Sequence, residues 1–134
     1  MVRVVADSNI YISALNFGGR PDEVLALARR SVISLFISQH ILQEIDGVLR
    51  SKFGWPARHA RAALTLIRAY AAKVDPQERI SVISRDDADN RVIECALTAQ
   101  AEVIVSGDSH LLDLRSFRGV RILTPTQFLA EIKV

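Results

Sequence analysis

The run EVIVS (102–106) is apolar at successive positions, with no polar residue between Val103 and Val105. In a strand, neighbouring side chains point to opposite faces, so such a run needs apolar cover on both sides of its sheet. VRVVA (2–6) is a short β-branched run of similar character, and SLFIS (34–38), RISVIS (79–84) and VRIL (120–123) read as further strands. Helical patterns lie between them. Residues 9–15 suit a short helix, and the paired glycines of NFGGR (16–20) suit a turn. PDEVLALARR (21–30) places its acids early and its arginines late, as the helix dipole favours. From Ser38 or Gln39 onward, Ile41, Leu42, Ile45, Val48 and Leu49 recur at helical spacing. Residues 57–73 repeat that spacing after the KFGWP break. Val92, Ile93, Ala96 and Leu97 mark another helix, GDSHLLDL a turn with a short one, and Thr124–Pro125 the cap and first position of a last one. Strands alternating with helices predict a parallel α/β sheet with helices on both faces.

At 134 residues the chain is expected to form one domain over 1–134, and 49% hydrophobic content is enough for a core. Cys95 is the single cysteine, which excludes an intramolecular disulfide and a cysteine-based zinc site. MVRVVADSN has too short an apolar stretch for a signal peptide, and no segment approaches the roughly 20 apolar residues of a membrane span, so a cytoplasmic location is expected. A net charge of +2 permits a nucleic-acid partner without requiring one.

Ligands of open parallel sheets gather at the carboxyl ends of the strands. Asp7 directly follows the first strand, and Asp108 stands three residues after Val105. Each suits either a ligand role or an ordinary helix cap or turn. Glu44 sits on the shoulder of an apolar helix stripe, but Asp46 occupies the opposite shoulder, and wheel position does not choose between them. The segment SRDDADN (84–90) holds three aspartates. Asp89, one turn before Ile93, points toward the inner face, where it serves equally as a cap, while Asp86 and Asp87 are expected in a solvated loop. Four carboxylates brought to one sheet edge are costly unless a cation offsets them, and oxygen donors suit Mg²⁺ or Mn²⁺.

The ordered series VVADSN, SQHILQEIDGVL, RDDADNRVIECA, AEVIVSGDSHLL and ILTPTQFL resembles the PIN-domain nucleases, in particular the VapC-like toxin components of toxin–antitoxin systems. The resemblance spans nearly the whole chain, including GGRPDEVL and SKF. It implies a three-layer α/β/α sandwich around a mostly parallel sheet of four to five strands. It implies a Mg²⁺-dependent (or Mn²⁺-dependent) endoribonuclease, usually dimeric, inhibited by a cognate antitoxin. The family's four acids fall on Asp7, Glu44, Asp89 and Asp108, as metal ligands and catalytic residues. Ser8, Asn9, Asn90 and Ser106 become candidates to orient those carboxylates, or alternatively make local capping bonds. Serine replaces the threonine often found at position 8, which keeps the hydroxyl.

Arg50, Lys52, Arg58, Arg61 and Arg68 are possible RNA contacts, with a solvated helix face as the alternative. Arg85 and Arg91 flank the aspartates and could balance their charge. Phe53, Trp55 and Tyr70 suit base stacking less well than packing of a helical hairpin or a dimer interface, Cys95 reads as core filler, and His40 and His110 as solvated histidines. Two other functions stay open. One is a binding module that no longer cuts. The other is a small-molecule phosphohydrolase, against which Asn9 stands where an aspartyl-nucleophile phosphatase wants a second acid.

Overall fold

A computed structural model describes residues 1–83 and 87–132. Its core is one sheet of six strands: β1 (Arg3–Ala6), β2 (Ser34–Ile37), β3 (Ala71–Lys73), β4 (Val103–Val105), β5 (Ser116–Phe117) and β6 (Val120–Leu123). Their spatial order is β3-β2-β1-β4-β6-β5, and only the β5–β6 pair is antiparallel. Val4, Val5 and Ala6 are fully buried, and Val103, Ile104 and Val105 nearly so, which is the two-sided cover that their unalternating sequence demanded. Among the described residues, seven helices supply it: α1 (Ser8–Phe17), α2 (Gly19–Arg29), α3 (Gln39–Ser51), α4 (Ala57–Tyr70), α5 (Asp87–Thr98), α6 (Ser109–Leu114) and α7 (Pro125–Glu131). This is the expected α/β/α class, with a larger sheet than the four to five strands anticipated.

The helix starts are chemically legible. The Ser38 hydroxyl accepts from Ile41 N, and Thr124 with Gln127 forms a reciprocal capping box ahead of Pro125. Gly18 and Gly19, with φ of 70° and 68°, let the chain turn between α1 and α2. Along α3, Ile41, Leu42, Ile45 and Leu49 are buried, each contributing about 1.5–3 kcal/mol by leaving water. Cys95 is buried in the core, as its small apolar neighbours suggested.

One strand lies elsewhere than expected. Residues 79–83 of RISVIS are irregular, and Ser84 falls outside the described residues. The third strand is instead Ala71–Lys73, at the end of the stretch whose spacing predicted a longer helix; α4 stops at Tyr70 and Ala71 turns extended, with φ −121° and ψ 120°. Side chains of α5 take over the backbone bonding that a ladder would give residues 80–83. Ile80 N donates to Glu94 Oε2 at 2.7 Å, and Ile80 O accepts from Arg91 at 2.9 Å. The Asn90 amide oxygen accepts from Val82 N (3.1 Å) and Ile83 N (2.9 Å), while its nitrogen donates to Ile83 O (2.6 Å). A β-branched composition gives a strand signal, but the hydrogen bonds here go to a helix.

Arg91 and Glu94 are both buried and paired at 2.9 Å, so Arg91 neutralises Glu94 rather than the aspartate cluster; Arg85 lies outside the described residues. Removing one partner of a buried pair strands the other charge away from water. Glu94→Leu is expected to lower the unfolding free energy by about 3–5 kcal/mol in urea titrations, and the double change Arg91→Met/Glu94→Leu to recover most of it. Equal losses in both variants would refute the pair as the cause.

Candidate active site

The order of the sheet sets the position of the site. From β1 the chain winds outward through β2 and β3, then returns to place β4 on the other side of β1. A crevice forms at such a reversal, outside the carboxyl ends of the two strands. Ala6 pairs with Val105, and Asp7 N donates to Val105 O at 3.1 Å, so the next residues on each strand, Asp7 and Ser106, are neighbours.

Asp7 caps α1, its Oδ1 accepting from Ile10 N at 3.1 Å, and it is only 3% exposed. Its other oxygen, Oδ2, accepts a hydrogen bond from the fully buried Ser106 hydroxyl. Ser106 Oγ in turn accepts from Asp108 N at 2.9 Å. Burial pushes the Asp7 carboxyl up to about 6, assisted by the negative charges of Asp108 and Glu44 and opposed by the bonds from Ser106 and Ile10. Asp108, half-buried, caps α6 through Oδ1, which accepts from His110 N (2.8 Å) and Leu111 N (3.2 Å). The cap reading of Asp7 and Asp108 is realised, and the capping bonds fix the orientation of both carboxylates where β1 and β4 end.

α3 lies alongside α1, and the buried Ser8 hydroxyl donates to Glu44 Oε1 across that contact. Asp46 faces elsewhere, 3.5 Å from Arg50. The tertiary contact thus separates two glutamate and aspartate positions that helical phase left equivalent. Asp89 is buried in the first turn of α5, a helix that packs on β1, β2 and β4. Ligand atoms of Asp89, Asp108 and His110 lie within 4.8 Å of one another. His110 Nδ1 stands 4.0 Å from Asp89 Oδ2 and 3.9 Å from Asp108 Oδ1, so this histidine, expected to be merely solvated, borders the acids. Its place two residues after Asp108 on a helix start was the available signal.

The remaining candidates divide. Asn9 is exposed, and Asn90 binds the backbone of 82–83, with no carboxylate among its bonded partners in the described residues. Asp87, expected in a loop, is the exposed first residue of α5, and Asp86 falls outside the described residues. Arg61 and Arg68 line a hollow of about 260 Å³ with Gln39 and Leu42, where α4 meets the start of α3. Arg58 is exposed, Arg50 is engaged by Asp46, and the Lys52 ammonium sits 5.8 Å over the Phe53 ring. Phe53 meets Phe17 edge-on at 6.2 Å, and Trp55 donates to Asn16 at 3.2 Å, so both pack the helices together. A hollow of about 680 Å³ lies away from the acids and is mainly apolar, walled by Leu15, Trp55, Leu66 and Tyr70.

Oxygen donors dominate the crevice, and Asp7 carries a desolvation cost that a cation would offset, so the donor set fits a hard divalent ion. Without metal, the raised Asp7 value has a consequence for stability. The folded state retains a proton that the unfolded carboxyl, near 3.8, has released. The stabilisation by the neutral acid is full below about pH 3.8 and is lost as pH rises through about 6. In EDTA, between pH 4 and 7, wild-type stability should fall by about 3 kcal/mol relative to Asp7→Asn, measured by urea unfolding. A pH-independent difference between the two would contradict the assignment.

A search among curated proteins returns no match to this sequence. Several solved structures share the fold, two of them as follows. A chain of the crystal structure of VapBC2 from Rickettsia felis, bound to a DNA fragment from their promoter, superposes with a TM-score of 0.65 at 14% identity, over 90% of this chain and 97% of that one. A chain of VapBC-1 from nontypeable Haemophilus influenzae gives 0.60 at 16% identity, over 93% and 99%. A family model described as PIN domain matches residues 3–110, which takes in every element from β1 to the start of α6 and all four candidate acids. The chain belongs to the PIN-domain family.

Proposed function

We propose that the chain, as one PIN-like domain over residues 1–134, is a Mg²⁺- or Mn²⁺-dependent endoribonuclease acting as the toxin of a toxin–antitoxin pair in the cytoplasm. The observation that carries this reading is the meeting of Asp7, Ser106 and Asp108 at the β1–β4 crevice, with Glu44 and Asp89 delivered to the same edge by α3 and α5. Asp7, Glu44, Asp89 and Asp108 are the proposed metal-holding and catalytic carboxylates. When bound, the ion would make a water more acidic and offset charge on the scissile phosphodiester. Ser106 and Ser8 fix the rotamers of Asp7 and Glu44 by donating to them, and the α6 cap holds Asp108 toward the crevice. Asn9, exposed beside Ser8, and Asn90, which ties the 82–83 segment to the start of α5, act in this reading by local positioning.

The VapBC neighbours support a cognate antitoxin as partner. The exposed Leu66 and Phe17, near the apolar hollow and the Phe53 contact, support a protein-covered surface there, for the antitoxin or for a homodimer. Among the described residues no helix is long and apolar enough to cross a membrane. For RNA, Arg61 and Arg68 beside Gln39 are the proposed backbone contacts nearest the carboxyl edge of β2, with Arg50, Lys52 and Arg58 farther along the same helical pair. The intact acids weigh against the non-cleaving module, and exposed Asn9 leaves the phosphohydrolase reading without its second acid.

Incubation with a structured RNA and Mg²⁺ should give cleavage that EDTA abolishes. Asp7→Asn, which keeps shape and loses charge, should lower the rate by about 100-fold or more. Cleavage that survives both treatments would refute the metal-site account, and hydrolysis of small phosphate esters in place of RNA would substitute the phosphohydrolase.

A further inference from the structure

We propose that His110 is a nitrogen ligand in the metal site and biases it toward Mn²⁺ over Mg²⁺. The inference rests on the carboxylate metal site proposed above and adds a residue to it. His110 is the first-turn residue of α6, two positions after the cap Asp108, and its imidazole is 42% exposed at the rim of the crevice. Its Nδ1 faces Asp108 Oδ1 at 3.9 Å and Asp89 Oδ2 at 4.0 Å. Both separations exceed hydrogen-bond length, which is about 2.7–3.2 Å, and lie within ion-pair reach of a protonated ring. Adjacent ligands of an octahedral ion at about 2.1 Å stand roughly 3.0 Å apart and opposite ones roughly 4.2 Å, so the exposed imidazole would swing inward from the observed spacings to seat all three donors around one ion.

The backbone makes the placement reproducible. The peptide N–H of His110 donates to the same Asp108 Oδ1 at 2.8 Å, so histidine and aspartate are oriented by one cap. Asp89 reaches the group from α5, which is packed against the central strands. Carboxylate and water suffice for Mg²⁺, whereas an imidazole nitrogen favours transition ions, whose affinities exceed that of Mg²⁺ at mixed nitrogen–oxygen sites. The four acids carried over from the family resemblance include no histidine, so His110 of the SGDSH segment is an addition to that ligand set.

The test is electron paramagnetic resonance on the Mn²⁺-loaded protein, with pulsed detection of a directly bound ¹⁴N nucleus, together with Mn²⁺ and Mg²⁺ titrations at fixed pH. The wild type should show the nitrogen modulation. His110→Ala, a change at an exposed side chain, should abolish it and weaken Mn²⁺ binding by about tenfold or more while altering Mg²⁺ binding by less than about twofold. His40→Ala should leave the modulation intact. Mn²⁺ bound without a nitrogen signal, or a signal unchanged in His110→Ala, overturns the proposal and leaves the carboxylate site standing. Mn²⁺ binding that is absent, or indifferent to Asp89→Asn and Asp108→Asn, removes the metal site itself.

Discussion

Everything in the crevice depends on the parallel pairing of β1 with β4. Two buried apolar strands, far apart in sequence, align so that Ala6 meets Val105, and the ladder runs one bond further to Asp7. The polar residues that follow each strand are thereby forced into contact at the one place where the winding of the sheet reverses. The apolar faces hold the register, since a slip by one residue would turn every side chain of a strand to the opposite face. Core packing therefore fixes the spacing of Asp7, Ser106 and Asp108.

That arrangement sets a burial cost against a charge requirement. Asp7 is nearly sealed from water and feels two other acids, which pushes its carboxyl up to about 6. Two hydrogen bonds, from Ser106 and from the α1 backbone, partly offset the cost and hold the group in one orientation. In the metal-site reading proposed above, a cation would offset the electrostatic cost that Asp7 bears without one. His110 at the rim extends the same donor set from oxygen to nitrogen.

The edge of the site is built by a different device. Residues 80–83, between β3 and α5, join no ladder, and Asn90, Arg91 and Glu94 supply their hydrogen bonds from the helix side. These three residues follow Asp89 within five positions, so the start of the helix that presents the acid also anchors the incoming segment. A buried Arg–Glu pair contributes little net stability by itself, and its use here lies in fixing one backbone path.

Local chemistry in the sequence determined much of this protein: the buried strands, the capped helix starts, the α/β alternation, and four acids in an order matching a known family. It determined Asp7 and Asp108 as residues at strand ends, because a strand followed at once by a capping acid is a local pattern. Local signals also misled. RISVIS has strand composition but bonds to α5, and β3 sits where helical spacing still ran, because hydrogen-bond partners are decided by neighbours distant in sequence. Glu44 and Asp46 have equivalent helical phase, and only the approach of α1 to α3 gives Glu44 the Ser8 hydroxyl and leaves Asp46 to Arg50. For the same reason Arg91, expected to balance the aspartates, pairs with Glu94, and His110, exposed as expected, also approaches Asp89 and Asp108. Helical and strand periods state which face a residue occupies, whereas the identity of the group across the gap is a property of the packed chain alone.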